Sequence, residues 1–405
     1  MPRKALHIIL FVAFVDLVSF GLIIPLQAVY AKRLGASGLT FGLLIGIYAA
    51  MQIVFNPVLG RWSDRIGRRR VLLLSIAGSV ISHTLLGVAD LAHSLPMLFV
   101  ARALDGMTGA NVATAQAYIA DVTRDEDRAR GMGLFGAAFG VGFVVGPAIG
   151  AGLASLGHLI SGADFGTAYP AFGAALVSFS ALVLVWSKLP EPPRATHPAL
   201  HKRSWFAFGA MRAAFGDLTM RPLLFLVFGT NFAMVLLETT FVFLCLTKLG
   251  IAERGTGLVF AYIGSLMVLV QGVLVGRLAR RVGELRVVAI APFITAVGFL
   301  VLAMMAQADH TALAWVLLLV GVIPMALGQG LTGPNLNALI SRRADRDRQG
   351  TTLGISQSVS SLARAIAPPV GGLLWDVGPA WPYVAGAMLL VFLGGFARLV
   401  AKRPR

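Results

Sequence analysis

Five ionisable side chains stand inside long apolar stretches of this 405-residue sequence. They are Asp16 in "FVAFVDLVSF", Arg102 and Asp105 in "RALDGMTGA", Glu238 in "NFAMVLLETTFVFL" and Arg364 in "LARAIAPPVGGLLWD". Moving a charge to the centre of a hydrocarbon layer costs about 3 kcal/mol on the most lenient scale, so such residues face a cavity and a partner. A carboxylate withdrawn from water with no cation in reach along its own helix is suited to loading and releasing a proton, and Asp16 is placed that way. Glu238 is the matching carboxylate of the second half. It either titrates or stays ionised against Arg364. Arg102 and Asp105 are spaced i, i+3, which puts them on one face of a helix within touching distance. They are either a structural ion pair, or a cation that tunes a nearby carboxylate through its charge. The chemistry open to this set is proton movement.

Nothing beside it makes a catalytic constellation. Strings such as "GLLIG" lack the G-K-[ST] of a phosphate loop. The seven His are scattered, and the single Cys245 excludes an internal disulfide and a multi-Cys metal site. No cofactor and no metal are expected, and the chain is not read as an enzyme.

The elements that hold these residues are membrane helices. Hydrophobic residues make up 57% of the chain and charged ones 13%, with a mean hydropathy of +0.80, where soluble proteins carry about a quarter charged residues. Apolar runs of about 20 residues recur along the whole length, each long enough to cross a core of roughly 30 Å. They predict an all-α polytopic protein of twelve spans, including single runs near 95–119, 129–156 and 255–276. The first run contains Asp16 and Pro25 and has no small-residue cleavage site, so it reads as a retained helix.

The net charge of +16 follows this topology. Of 34 Lys and Arg, 28 fall at the termini and in alternate loops on one side, and four on the other: Lys32, Arg33, Lys248 and Arg254. The positive-inside rule places both termini in the cytoplasm and makes the protein a multi-pass component of the inner (cytoplasmic) membrane. Anionic lipid headgroups at the cytoplasmic face, and not nucleic acid, are then the expected contact of the basic loops. The longest polar interval, beginning "KLPEPPRATHPALHKRSW", divides the chain into a bundle of six helices at 1–189, a cytoplasmic linker at 190–220 and a second bundle at 221–405. The linker segment "WFAFGAMRAAFGD" suits an amphipathic helix on the membrane face.

The halves repeat each other. "GRWSDRIGRRR" from Gly60 and "GRLARRVGELR" from Gly276 are offset by 216, so Gly67 answers Gly283, while Asp64 answers Arg280. "GANVATAQAYIADVTRDEDRARG" is echoed by "GPNLNALISRRADRDRQG", where Asn111 answers Asn335. Internal repetition of this kind marks secondary transporters, which bind substrate at the repeat interface. Asn56, Asn111, Gln116, Asn231, Gln271, Asn335, Asn337 and Gln357, together with Arg364, are candidates to line such a cavity. The alternative for each amide is plain interhelical hydrogen bonding. In the loop, Gly60, Asp64, Arg65, Gly67, Arg68 and Arg69 read as a latch in which Asp64 meets a nearby Arg or a helix N-terminus. The alternative is a loop that only sets topology and binds lipid.

In these motifs the chain resembles the major facilitator superfamily. "GRWSDRIGRRR" is similar to its loop between helices 2 and 3, "RALDGMTGA" to its helix-4 pattern, and "GVGFVVGPAIGAG", with Gly142, Gly146, Pro147 and Gly150, to its helix-5 antiporter motif. "DLVSFGLIIPL" and "AYIADVTRDEDRARGMG" look closest to the tetracycline-efflux type of drug:proton antiporter. The resemblance implies two pseudo-symmetric six-helix bundles, a cytoplasmic latch for the outward-open state, and proton coupling that involves the helix-4 Arg102. It also implies a tight seam of helix 5 against helix 8. The implied activity is proton-coupled export of a small hydrophobic or cationic compound by alternating access, by a monomer. The alternative within the same fold is a transporter of a specific metabolite, sugar or siderophore. The sequence departs from the tetracycline-efflux pattern where that type has an acid in helix 9, since Thr295 stands there. The "LDG" of helix 4 and Arg364 depart from it too, which weakens the case for a magnesium–tetracycline chelate.

Overall fold

The computed structural model describes residues 2–123, 125–166, 168–192, 216–217, 219–251, 253–343 and 349–402. Regular structure among them is entirely helical, as a chain in hydrocarbon requires if every backbone group is to be satisfied within its own segment. The helices are α1 (Pro2–Arg33), α2 (Gly38–Ile66), α3 (Arg68–Leu91), α4 (Leu95–Thr108), α5 (Asn111–Val122), α6 (Asp125–Gly166) and α7 (Tyr169–Lys188). They continue as α8 (Arg221–Leu249), α9 (Glu253–Leu269), α10 (Val275–Val282), α11 (Glu284–Gln307), α12 (Thr311–Arg343), α13 (Gln349–Val377) and α14 (Trp381–Lys402). Among the described residues, α1, α2, α3, α7, α8, α11, α12 and α14 are each long and apolar enough to cross a membrane. The expected amphipathic helix of the linker falls on 205–217, nearly all of it outside the described residues.

The expected span 95–119 is broken into α4 and α5, which corrects its reading as one helix, while 255–276 stays one helical passage with a π-helical turn inside it. Between α4 and α5 the ladder gives way at Gly109 and Ala110, whose N–H groups turn back to Gly106 O and Thr108 O. Gln52 of α2 reaches the Gly109 carbonyl at 3.5 Å, so the break is partly repaired from a neighbouring helix. A Cβ on Gly109 would lie 2.7 Å from that Gln52 amide and 3.0 Å from the Asp105 carbonyl, so a side chain there would push on both. Between α9 and α10 a π-helical turn, Val270–Leu274, interrupts the helix. With α4–α5 and α9–α10 each taken as one passage, the described helices make twelve.

The chain falls into two compact units. The first comprises Met1–Ala36, Ile47–Trp205 and Ile251–Ala261, and the second Ser37–Gly46, Phe206–Gly250 and Tyr262–Arg405. In the first, Ile9 and Val12 of α1, Leu72 and Ile76 of α3, Tyr118 and Ile119 of α5, Phe135 of α6 and Val185 of α7 close into one apolar core. In the second, Leu223 and Leu226 of α8, Val288 of α11, Ile340 of α12, Val359 of α13 and Leu393 of α14 do the same. Large apolar side chains such as Leu159, Leu176, Trp186 and Val377 remain exposed, as suits helices surrounded by lipid.

Candidate functional site

In the first unit, α1, α3 and α5 bring Asp16 and Asn111 together. The Asn111 Nδ2 group donates to Asp16 Oδ1 at 2.7 Å and to Ser79 Oγ of α3 at 3.3 Å. Asp16 is half-buried and Asn111 is buried. A small void lined by Val12, Ala13, Leu72, Ile76, Ala115 and Phe135 opens beside the carboxylate. Asn111 is the first residue of α5, so the helix break sets its side chain at the end of a helix instead of along one.

On α4, Arg102 Nη1 donates to Asp105 Oδ2 at 2.7 Å, and both side chains are buried. The Arg102 guanidinium also lies 4.1 Å from the centroid of the Tyr48 ring, a cation–π contact in a dry setting. Its Nε is buried without a hydrogen-bond partner. The cation–π contact joins α4 to α2, where Tyr48 is itself fixed by accepting from Gln52 Nε2 at 2.8 Å.

One buried group lay outside the sequence reading. His83 of α3 sits with its Nδ1 3.3 Å from Ser19 Oγ of α1 and 3.3 Å from Ser178 Oγ of α7. Ser19 and Ser178 are themselves 2.8 Å apart, and Ser19 donates to the Ala174 carbonyl. Three helices therefore meet on one imidazole. The only hint in the sequence is a histidine inside the apolar run "SVISHTLL".

The basic loop is tied down within the first unit. Arg68 pairs with Asp64 across the turn and donates through Nε to Asp121 Oδ2 at 2.8 Å, joining the ends of α2, α3 and α5. Arg69 donates to the carbonyls of Val185 and Trp186 at the C-terminal end of α7, where a cation complements the helix dipole. Its backbone N–H donates to Glu191. Gly67 has φ +113, a left-handed turn that admits no side chain readily, and a Cβ there would strike the Glu191 carboxylate. Arg65 is exposed, and Gly60 meets nothing at its open side. The repeat preserves the turn. Gly283 has φ +89, and Glu284 after it pairs with Arg342 at 3.0 Å.

The helix-5 glycines Gly142, Gly146 and Gly150 belong to α6 and are turned to α1. A Cβ on Gly146 would lie 2.8 Å from Gly21 Cα, one on Gly142 2.8 Å from Leu17 Cβ, and one on Gly150 3.1 Å from the Leu22 carbonyl. Pro147 sits within the same face and comes up against Gly21. Close backbone approach is the physical demand, and Asp16 of α1 is positioned by it.

In the second unit, Arg364 of α13 lies within electrostatic reach of Glu238 of α8 without forming an ion pair with it, and both side chains are exposed. Asn231 and Asn335 donate to Val227 O and Leu331 O of their own helices, at 2.8 and 2.7 Å. Gln357 is exposed, as is Gln116 of the first unit, and Asn56 has a buried Oδ1 without a partner. The side chain of Gln271 lies outside the described residues. Thr295 donates to Ala291 O of its own helix. A further clasp was absent from the sequence reading: Asp376, at the end of α13, accepts from the Gly38 and Leu39 N–H groups at the start of α2, at 2.7 and 2.9 Å. A carboxylate on free N-terminal amides is a favourable cap.

Comparison with known proteins agrees with this architecture. The chain is 31% identical over 398 residues to tetracycline resistance protein, class E, of Escherichia coli, covering 96% of this chain and 93% of that protein. It is 30% identical to tetracycline resistance protein, class D, of Salmonella ordonez over 398 residues, with 93% and 94% covered. It is 28% identical to multidrug resistance protein 2 of Bacillus subtilis (strain 168) over 406 residues, with 97% and 94% covered. Among solved structures, the nucleoside transporter NupG superposes with a TM-score of 0.77 at 14% identity, over 99% of this chain and all of that one, a likeness of fold. The sequence matches the Major Facilitator Superfamily over residues 9–368, and the chain belongs to that superfamily.

Proposed function

We propose that the protein is a proton-coupled secondary transporter that exports a small hydrophobic or cationic compound by alternating access. The observation that carries this reading is the likeness along nearly the whole chain to tetracycline and multidrug resistance proteins. The geometry supports it. Asp16 keeps a carboxylate in the membrane on an amide alone, whereas Asp105 is already matched by Arg102. Asp16 is therefore the proton carrier. It releases its proton inward, substrate enters from the cytoplasm or inner leaflet, and the two bundles, 1–189 and 221–405 with the linker 190–220 between them, rock outward. Protonation from outside displaces the substrate and allows the return. The loop from Gly60 to Arg69 latches the cytoplasmic side in the outward state. The protein works as a monomer in the inner membrane with its termini in the cytoplasm and anionic headgroups against its basic loops.

A second reading, a transporter of a specific metabolite, sugar or siderophore, is favoured by Thr295 in place of the helix-9 acid and by the exposed cation of Arg364. Purified protein in liposomes with an internal pH dye separates the two. Lipophilic cations, tetracyclines and sugars are added under an imposed pH gradient, to wild type and to Asp16→Asn. Proton release triggered by a drug and lost in Asp16→Asn is the expected result. Release triggered by a sugar alone selects the second reading, and release retained in Asp16→Asn moves the proton to Glu238 or Asp105.

A further inference from the structure

Asn111 is held in a way that one hydrogen bond to Asp16 does not explain. Its Nδ2 has two acceptors, Asp16 Oδ1 and Ser79 Oγ, while its Oδ1 is buried with no partner. Ser75 Oγ of α3 and Thr114 Oγ1, one turn along α5, are buried and unpartnered as well. A buried acceptor left unpaired is expensive, and each one in a native protein calls for an explanation, of which a second state that satisfies it is one. An ionised carboxylate can only accept, which turns the amide N–H group towards it. A protonated carboxyl carries an O–H donor and needs an acceptor in the same place. Rotating the Asn111 amide by half a turn exchanges N and O without changing its shape. It puts Oδ1 against the Asp16 hydroxyl and beside Ser79, whose own hydroxyl can turn to donate to it.

We propose that Asn111 reads the proton state of Asp16, donating through Nδ2 to the ionised carboxylate and accepting through Oδ1 from the protonated one, so that one buried amide serves both halves of the transport cycle. It acts through Asp16 and is a positioning residue. The inference rests on the reading of Asp16 as the proton carrier. Other charged groups near this seam are few. Asp105 on α4 is within electrostatic reach but taken by Arg102, and His83 on α3 is held by Ser19 and Ser178. On α5, Asp121 lies at the far end with Arg68, and on α7, Lys188 lies in the last turn. His158 of α6 is about four turns beyond Gly142, and His7 of α1 about two and a half turns before Asp16.

The test is an infrared titration of the purified protein, in which the carboxyl band of Asp16 is identified by its loss in Asp16→Asn. The same variants are titrated for drug-triggered proton release in liposomes. Asn111→Leu removes the donor that favours the ionised form, so the proton is held to higher pH. The same variant removes the acceptor of the protonated form, so both midpoints are expected to rise by about one pH unit, the margin of a charge-assisted hydrogen bond over a neutral one. Asn111→Ser, which shortens the arm without adding bulk, is expected to move them the same way by less, and it stands in if the leucine variant does not accumulate. A purely structural Asn111 would lower the amount of active protein and leave the midpoints in place. Unmoved midpoints in both variants, with the band still lost in Asp16→Asn, overturn the role of Asn111 and keep Asp16. A band and proton release that survive Asp16→Asn overturn both.

Discussion

Arg102 and Asp105 lie 2.7 Å apart with side chains 3% and 7% exposed, so neither charge has water to turn to when the other is removed. Removing one partner of such a pair costs about 3–5 kcal/mol, whereas replacing both by apolar groups is close to neutral. Arg102→Leu and Asp105→Leu are each expected to lower the thermal unfolding midpoint in detergent by many degrees, and the double variant to recover most of the loss. A double variant no better than the sum of the singles would mean that Tyr48 and not Asp105 is the anchor of Arg102. The double variant also separates structure from coupling, since an ion pair that only anchors α4 leaves drug-triggered proton release intact once both charges are gone. Residue types announced this pair, because i, i+3 spacing inside an apolar run admits little else. They did not announce His83, whose meaning depends on Ser19 and Ser178 arriving from two other helices. Nor did they separate Asn111 from Asn335. The two occupy matching places in the repeat, yet one meets a carboxylate and the other spends its donor on its own helix.

Between elements, the glycines of α6 show which part of a packing pattern a sequence carries. Their four-residue spacing was visible and predicts a close approach, but the partner was not, because any helix with a small residue facing the seam would satisfy it. Gly21 of α1 supplies that residue, and the seam is with α1. The break in the fourth passage was hidden for a related reason: its Gly-Ala pair is tolerated inside membrane helices, and the Gln52 side chain that repairs it comes from α2. The seam makes a paired prediction. A Cβ at Gly146 would meet Gly21 Cα at 2.8 Å, backbone against backbone with nothing flexible to yield, whereas one at Gly152 meets nothing within 4 Å. Gly146→Val is therefore expected to abolish accumulation of folded protein, and Gly152→Ala to be accepted, with a gain of up to about 1 kcal/mol in helix stability. Fluorescence-detected size-exclusion chromatography of the two variants checks this. A monodisperse Gly146→Val protein would show that α1 and α6 can separate, and the placement of Asp16 by this seam would fail with it.

At the scale of the whole molecule the chain announced itself most clearly, since hydropathy and the distribution of Lys and Arg are sums over many residues and survive local surprises. The repeat is equally legible, and its imprint is physical: Gly67 and Gly283, 216 residues apart, both adopt left-handed turns ahead of a helix. The sharing of α2 was not legible. Its first residues group with the second unit and Ile47 onward with the first, and the amides of Gly38 and Leu39 are capped by Asp376, more than three hundred residues away in sequence. The orientation proposed from the charge count is open to direct measurement, because the one native thiol, Cys245, is buried and gives a quiet background. Ser37 and Ile66 flank α2 and are both exposed. In intact cells, Ser37→Cys is expected to react with a membrane-impermeant maleimide, and Ile66→Cys only after the inner membrane is opened. The basic loop beside Ile66 is what sets that order, because cationic residues flanking a span resist translocation. Reversed labelling would put the loop outside, and with it would go the latch, the cytoplasmic termini and the direction of export.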